Sequence, residues 1–100
     1  MAYFAGDLDA TLAAAAGEDP ALFNELRGAF VESLARQLDL LGRARCDGNW
    51  HVAAMRLKGL AASFHADPLI VLADEAVDAA PGDPVVLRKL RRFHAEFVAS

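Results

Sequence analysis

The chain has 100 residues, 55% hydrophobic and 24% charged, with a mean hydropathy of +0.22; that suffices for the core of one compact domain spanning 1–100 and excludes wholesale disorder. Ten Lys and Arg against fourteen Asp and Glu leave a net charge of −4 and a pI near 5.2, which argues against general nucleic-acid binding. The longest aliphatic run, Leu69-Ile70-Val71-Leu72-Ala73, falls far below the ~18 residues of a membrane span, and Asp7 and Asp9 stand where a signal peptide has its basic start; a cytoplasmic protein without membrane contact is expected.

Alanine is abundant, β-branched residues are few, and no Asn-Gly or Asp-Gly hairpin signal separates alternating runs, so the expected fold is all-α. A short leading helix is expected over 7–16, its alanines at 13–16 being plain helix formers. Asp19-Pro20 then writes a helix start, with a carboxylate for the N-cap and a proline where a missing N–H costs nothing, opening a helix over 20–44. In the loop Cys46-Asp47-Gly48-Asn49, Asp47 or Asn49 is the expected cap of a helix over 49–65, and Cys46, alone in the chain, is a loop thiol with no disulfide partner. Asp67-Pro68 and Asp83-Pro84 open helices over 68–80 and 84–99. Phe23, Leu26, Phe30, Leu34, Leu38 and Leu41 form one apolar stripe, Leu69, Leu72, Ala76 and Ala80 a second, and Leu87, Leu90, Phe93 and Phe97 a third. Short loops make neighbouring helices antiparallel, so the stripes predict an antiparallel four-helix bundle with a short N-terminal helix.

The helix over 49–65 carries the most information. With Leu57 at zero on a wheel of ~100° per residue, Trp50, Ala53, Ala54, Leu60, Ala61 and Phe64 fall within about 60° of it and form the core face. His51, Met55, Lys58, Ala62 and His65 fall at ~80–160°, and Val52 and Gly59 near the far pole. Met55 therefore faces outward. An interior glycine costs a helix about 1 kcal/mol relative to alanine, so Gly59 marks a place of close approach. The competing expectation is that neighbouring helices, or the leading helix through Leu8 and Leu12, cover part of this strip.

The segment Met55-Arg56-Leu57-Lys58-Gly59-Leu60-Ala61-Ala62-Ser63-Phe64-His65-Ala66-Asp67-Pro68-Leu69 resembles the signature of histidine-containing phosphotransfer (HPt) domains of bacterial phosphorelays. That signature reads His-x-Leu-Lys-Gly-Ser-Ala, three residues, Gly-Ala, two more and Leu. Leu57, Lys58, Gly59, Ala61, Ala66 and Leu69 match it, and Asp19-Pro20, Phe30, the stretch Leu72-Ala73-Asp74-Glu75-Ala76 and the Gly82-Asp83 turn extend the similarity over most of the chain from Asp19 onward. The chain departs from the pattern at decisive points. The phospho-accepting histidine aligns with Met55, the small residue after Gly59 is Leu60, and the glycine ten positions after the acceptor is His65; the family's opening Asp-Trp stands as Asn49-Trp50, nearer the acceptor position than in the family.

The resemblance implies an exposed imidazole that takes a phosphoryl group from a receiver domain's aspartyl phosphate. Histidine can do this because it offers a nitrogen lone pair at ordinary pH; a thioether has no proton to exchange and forms no stable phosphorylated species. The expectation is a non-enzymatic pseudo-phosphotransfer module that binds a receiver domain or a histidine kinase through His51, Val52, Met55, Arg56, Lys58, Gly59 and Ala62. Lys58 would match the family lysine that offsets phosphoryl charge, Gly59 the glycine that leaves room for the receiver, and Met55 would supply an adaptable apolar contact.

His51, one turn before Met55, is the alternative: a displaced acceptor, although Ala54 and Met55 stand where the lysine and glycine belong. A third expectation is a helical interaction protein without signalling function, or a homodimer through the Val52/Met55 strip. His65 is expected to favour a helix C-terminus as a cation, and His94 to be a satisfied histidine at the core's edge. The sequence holds no His/Cys/Asp/Glu set with metal-ligand spacing and no cofactor motif. Arg88, Lys89, Arg91 and Arg92 read as a solvated face paired with Asp74, Glu75 and Asp78, and Trp50 as a core anchor.

Overall fold

The computed structural model describes residues 2–99, and side chains over 8–99. Every regular element among them is helical: α1 Ala2–Ala16, α2 Pro20–Arg43, α3 Asp47–Ser63, α4 Asp67–Asp78 and α5 Pro84–Ala99. α3 packs on α2 and α4, α5 packs on the same two helices, and α1 rests on α2 and α5. The body measures 43 × 22 × 17 Å, and α2 alone, with 24 residues, is about 36 Å long at 1.5 Å per residue.

The core is built from one stripe of each helix. Phe30, Leu34, Leu38 and Leu41 of α2 meet Trp50, Leu57 and Ala61 of α3, Leu69, Ala73 and Ala76 of α4, and Val86, Leu90, Phe93 and Phe97 of α5. Phe30 is the central aromatic, with its ring 4.9 Å from Phe64 and 5.4 Å from Phe97. The predicted stripes run slightly wide. Phe23, Leu26, Leu72 and Leu87 are half-buried, while Ala80, past the end of α4, is exposed.

α1 begins at Ala2, earlier than the expected start near residue 7, because Asp7 is no cap and one interior glycine, Gly6, disfavours a helix without ending it. Its Leu8 and Leu12 are fully buried in the core. Arg27 of α2 ties the region together: its Nε lies 3.4 Å from Asp9 of α1, its guanidinium stacks 4.4 Å from the centroid of Phe97, and it donates to the Phe97 carbonyl.

The caps follow the sequence at two of four sites. Asp19 accepts from the N–H groups of Ala21 and Leu22 at 3.0 and 3.3 Å, and Asp83 from those of Val85 and Val86 at 2.9 and 3.4 Å. At α3 the N-cap is Cys46, with neither Asp47 nor Asn49 capping by a side-chain bond, and Asp47 already lies in the first turn. At α4 the N-cap is Ala66, not Asp67, which lies in the first turn ahead of Pro68. The turn from α3 explains the shift. His65 adopts φ +53°, its N–H donates to the Ala62 carbonyl at 3.1 Å, and the Ala66 N–H donates to Ala61 at 2.8 Å. That pair of bonds is a Schellman motif closing α3, and the Ala66 carbonyl at once accepts from Ile70 at 2.9 Å, so α4 starts one residue early.

Candidate functional site

The orientation of α3 is set from its buried side. Trp50 is buried and its Nε1–H donates to the Ala76 carbonyl of α4 at 2.7 Å; a wrong rotation of the helix would strand the indole N–H. Ala53, Ala54 and Ala61 are also buried, and their small side chains bring α3 close to its neighbours. With that face fixed, the opposite face must point outward.

It does. Val52 and Met55 are 49% and 44% exposed, and His51, Arg56, Gly59 and Ala62 are exposed with them. The described side chains of the leading helix do not cover this strip, since α1 rests on α2 and α5 and spends Leu8 and Leu12 in the core. A Cβ added to Gly59 would meet no atom within 4 Å, so nothing among the described residues asks for glycine there.

Lys58 turns toward α4, where its Nζ lies 2.8 Å from Asp74 with both side chains partly exposed. A pair in this setting contributes roughly 0–1 kcal/mol and exchanges readily. The structure thus brings His51, Val52, Met55, Gly59 and Ala62 onto one open surface and holds Lys58 at its border in an ion pair that spacing along one helix does not reveal. His51 and Lys58 are seven residues apart, or about 10 Å along the helix, so the imidazole has no cation one turn away. Ser63 donates its hydroxyl to the Gly59 carbonyl at 2.9 Å and is occupied within the helix.

Beside the strip, α2 and α3 enclose a groove of about 370 Å³ lined by Leu40, Arg43, Ala44, Asn49, Val52, Ala53 and Arg56. Val52 belongs to both, so the apolar strip continues into a groove with two guanidinium groups, of which Arg43 pairs with Asp39 at 3.0 Å. The participation of Arg43 and Asp74 escaped the sequence because each comes from another helix.

Of the remaining histidines, His65 stands at the C-terminal end of α3 as expected, in a left-handed turn that closes the helix with its backbone N–H. His94 is half-buried at the core's edge, but its Nε2 is enclosed without a hydrogen-bond partner among the described residues, so the expectation of a satisfied histidine is corrected: its neighbours Leu90, Phe93 and Phe97 on α5 are hydrocarbon. Of the basic residues of α5, Lys89 pairs with Glu75 at 3.1 Å, whereas Asp74 serves Lys58. Among the described residues no group of three His, Cys, Asp or Glu could hold a metal ion, and no helix is long and apolar enough to cross a membrane.

Chemically, the strip offers an adaptable thioether flanked by a valine, small residues and an arginine, with no nucleophile at its centre. No family model matches the chain, and neither a curated protein nor a solved structure matches it.

Proposed function

We propose that the chain is a degenerate HPt-like domain, an antiparallel four-helix bundle of α2 to α5 with α1 as a leading helix, which binds a receiver domain or a histidine kinase in the cytoplasm without accepting phosphate. The closed circuit of packing α2–α3–α4–α5 and the short connectors support the bundle. The turn after α3 supports the alignment: His65 holds φ +53° at the position where the family has glycine, which is the backbone glycine accommodates without strain.

One observation carries the functional reading. An uncovered strip of Val52, Met55, Gly59 and Ala62 runs along α3, with an inert thioether at its centre. Methionine suits a surface that must fit a partner, since its flexible, polarizable side chain adapts to the shape it meets. Lys58 stands ready to exchange Asp74 for an acidic rim on the partner, as a surface pair of this kind is only weakly held.

The test is direct binding of the purified domain to the receiver domains and histidine kinases of its source organism by calorimetry. Expected are a complex with at least one of them, about tenfold weaker binding for Met55→Glu, and a clear loss for Lys58→Glu. Absence of any complex, or a complex indifferent to both substitutions, refutes the proposal. Exposure of His51 is what favours the runner-up, a displaced acceptor. An acid-labile, base-stable phosphoryl label that disappears in His51→Ala would establish that reading and displace the first.

A further inference from the structure

The outer side of α5 carries positive charge that the fold does not consume. Arg88, Arg91 and Arg92 are exposed, and none of them meets a carboxylate among the described residues, whereas Lys89 is paired with Glu75. Like charges three and four residues apart on a helix oppose its formation. All three arginines stand ahead of the last turn of α5, where the helix dipole would have rewarded them.

Arg91 is also seated. Its guanidinium comes over the last turn of α2 at Gly42, where an added Cβ would lie 2.7 Å from Nη2 and 4.0 Å from Cζ. Among the described glycines only Gly42 has a neighbour that a side chain would meet; glycine is otherwise a poor helix residue, so the room it leaves is what lets the guanidinium settle there. Arg45 arrives from the loop after α2. Its Nη1 donates to the Gly42 carbonyl at 3.3 Å, and it too is exposed and meets no carboxylate among the described residues. The contacts of Arg27 with Phe97 and of Gly42 with Arg91 run α5 antiparallel to α2. Arg88, one turn before Arg91, therefore continues toward the end of α2, where Arg45 stands.

We propose that Arg45, Arg88 and Arg91 form a binding site for a phosphate monoester. A guanidinium presents a planar fork of N–H donors that matches paired oxygens. A phosphate monoester brings three acceptor oxygens and a charge of roughly −1.5 to −2 at neutral pH, enough to engage several arginines, where a carboxylate would satisfy one fork with a single charge. The surroundings limit what can follow the phosphate. Arg88 and Arg91 are about 4.5 Å apart along the helix, and Glu25 and Glu32 stand exposed seven residues apart on α2, so one phosphate group is attracted while a row of them running along α2 is repelled. The site lies off the α3 strip and stands independently of what docks there.

Titration of the isotope-labelled full chain by NMR, at constant ionic strength and above the second phosphate pKa, tests this. Inorganic phosphate and a phosphoserine peptide are the probes, acetate and the unphosphorylated peptide the controls, and circular dichroism confirms that each variant keeps its helices. Saturable shifts centred on Gly42, Arg45, Arg88 and Arg91 are expected, in the millimolar range for inorganic phosphate. Arg88→Ala and Arg91→Ala weaken binding by about fivefold. Arg91→Lys weakens it by about threefold, because an ammonium keeps the charge without the fork, and Gly42→Ala, which displaces the guanidinium, does the same. Arg36→Ala, which removes an exposed arginine elsewhere on α2, leaves binding unchanged. A phosphoserine peptide that binds more tightly than inorganic phosphate identifies the source as a phosphorylated side chain; one that does not identifies a free phosphate monoester. Shifts that never saturate, shifts that acetate reproduces, or binding indifferent to Arg88→Ala and Arg91→Ala overturn the proposal.

Discussion

Gly59→Ala separates the demands of folding from those of docking. Glycine inside a helix is about 0.8–1.0 kcal/mol less favourable than alanine. Nothing is subtracted from that gain, because the added methyl group would meet no atom within 4 Å and the residue has an ordinary negative φ. Gly28, on the exposed side of α2, is in the same position: it is helical, and its Cβ site is also empty. Both substitutions should therefore raise the unfolding free energy by about 1 kcal/mol. In a domain of this size that shifts the melting temperature by roughly 4–8 °C, and in urea it moves the midpoint upward at constant slope. The two variants should diverge in binding. Gly28→Ala keeps the affinity of the parent, while Gly59→Ala, with a methyl group raised in the middle of the docking strip, loses about tenfold. A destabilised Gly59→Ala would mean that the outer face of α3 is covered after all. A stabilised variant that binds as the parent does would remove the strip from the interface.

Trp50→Phe removes the indole bond to the Ala76 carbonyl and part of a buried ring; since that carbonyl also accepts from Ala79 at 3.1 Å, the expected loss is about 2 kcal/mol rather than more, read by urea denaturation followed by circular dichroism. His65→Gly relieves a left-handed residue of roughly 1–2 kcal/mol of strain, against about 0.5–1 kcal/mol of added chain entropy in the unfolded state, so a net gain of about 0.5–1 kcal/mol is expected in the same assay. Met55→His places an imidazole on the open strip, one turn before Lys58. Incubation with a phosphorylated partner receiver should then give an acid-labile, base-stable label that the parent chain does not acquire, and a receiver that binds this variant yet never labels it would count against the HPt-like reading.

The outward face of α3 was legible because one helical period governs the segment. Placing Leu57 inside puts Met55 outside, and the structure adds only the tryptophan bond that enforces the choice. The covering of that face was not legible, since Leu8 and Leu12 mark α1 as amphipathic without saying against which helices it lies. Asp-Pro shows the same boundary between local and tertiary information. Asp19 and Asp83 cap as written, but Asp67 is displaced into the first turn because a Schellman turn at His65 has already begun the next helix at Ala66. Lys58 and Asp74 are sixteen positions apart in the chain, so no periodicity announces their contact.

Positions 59 and 65 together make the strongest physical argument about what α3 is for. At 65 the backbone occupies the left-handed region, where glycine would be the better residue, and the chain has histidine. At 59 the backbone is ordinary helix with empty space beside it, where alanine would be better, and the chain has glycine. Exchanging each for the residue its conformation favours would add roughly 1.5–2 kcal/mol, a sizeable share of the 5–15 kcal/mol by which domains are ordinarily stable. Strain at 65 belongs to an exposed turn that closes α3 and opens α4. The glycine at 59 shapes a face that includes Val52, Met55 and Ala62, all exposed. Since folding alone favours alanine there, the glycine supports the proposed reading, in which a partner comes close to α3.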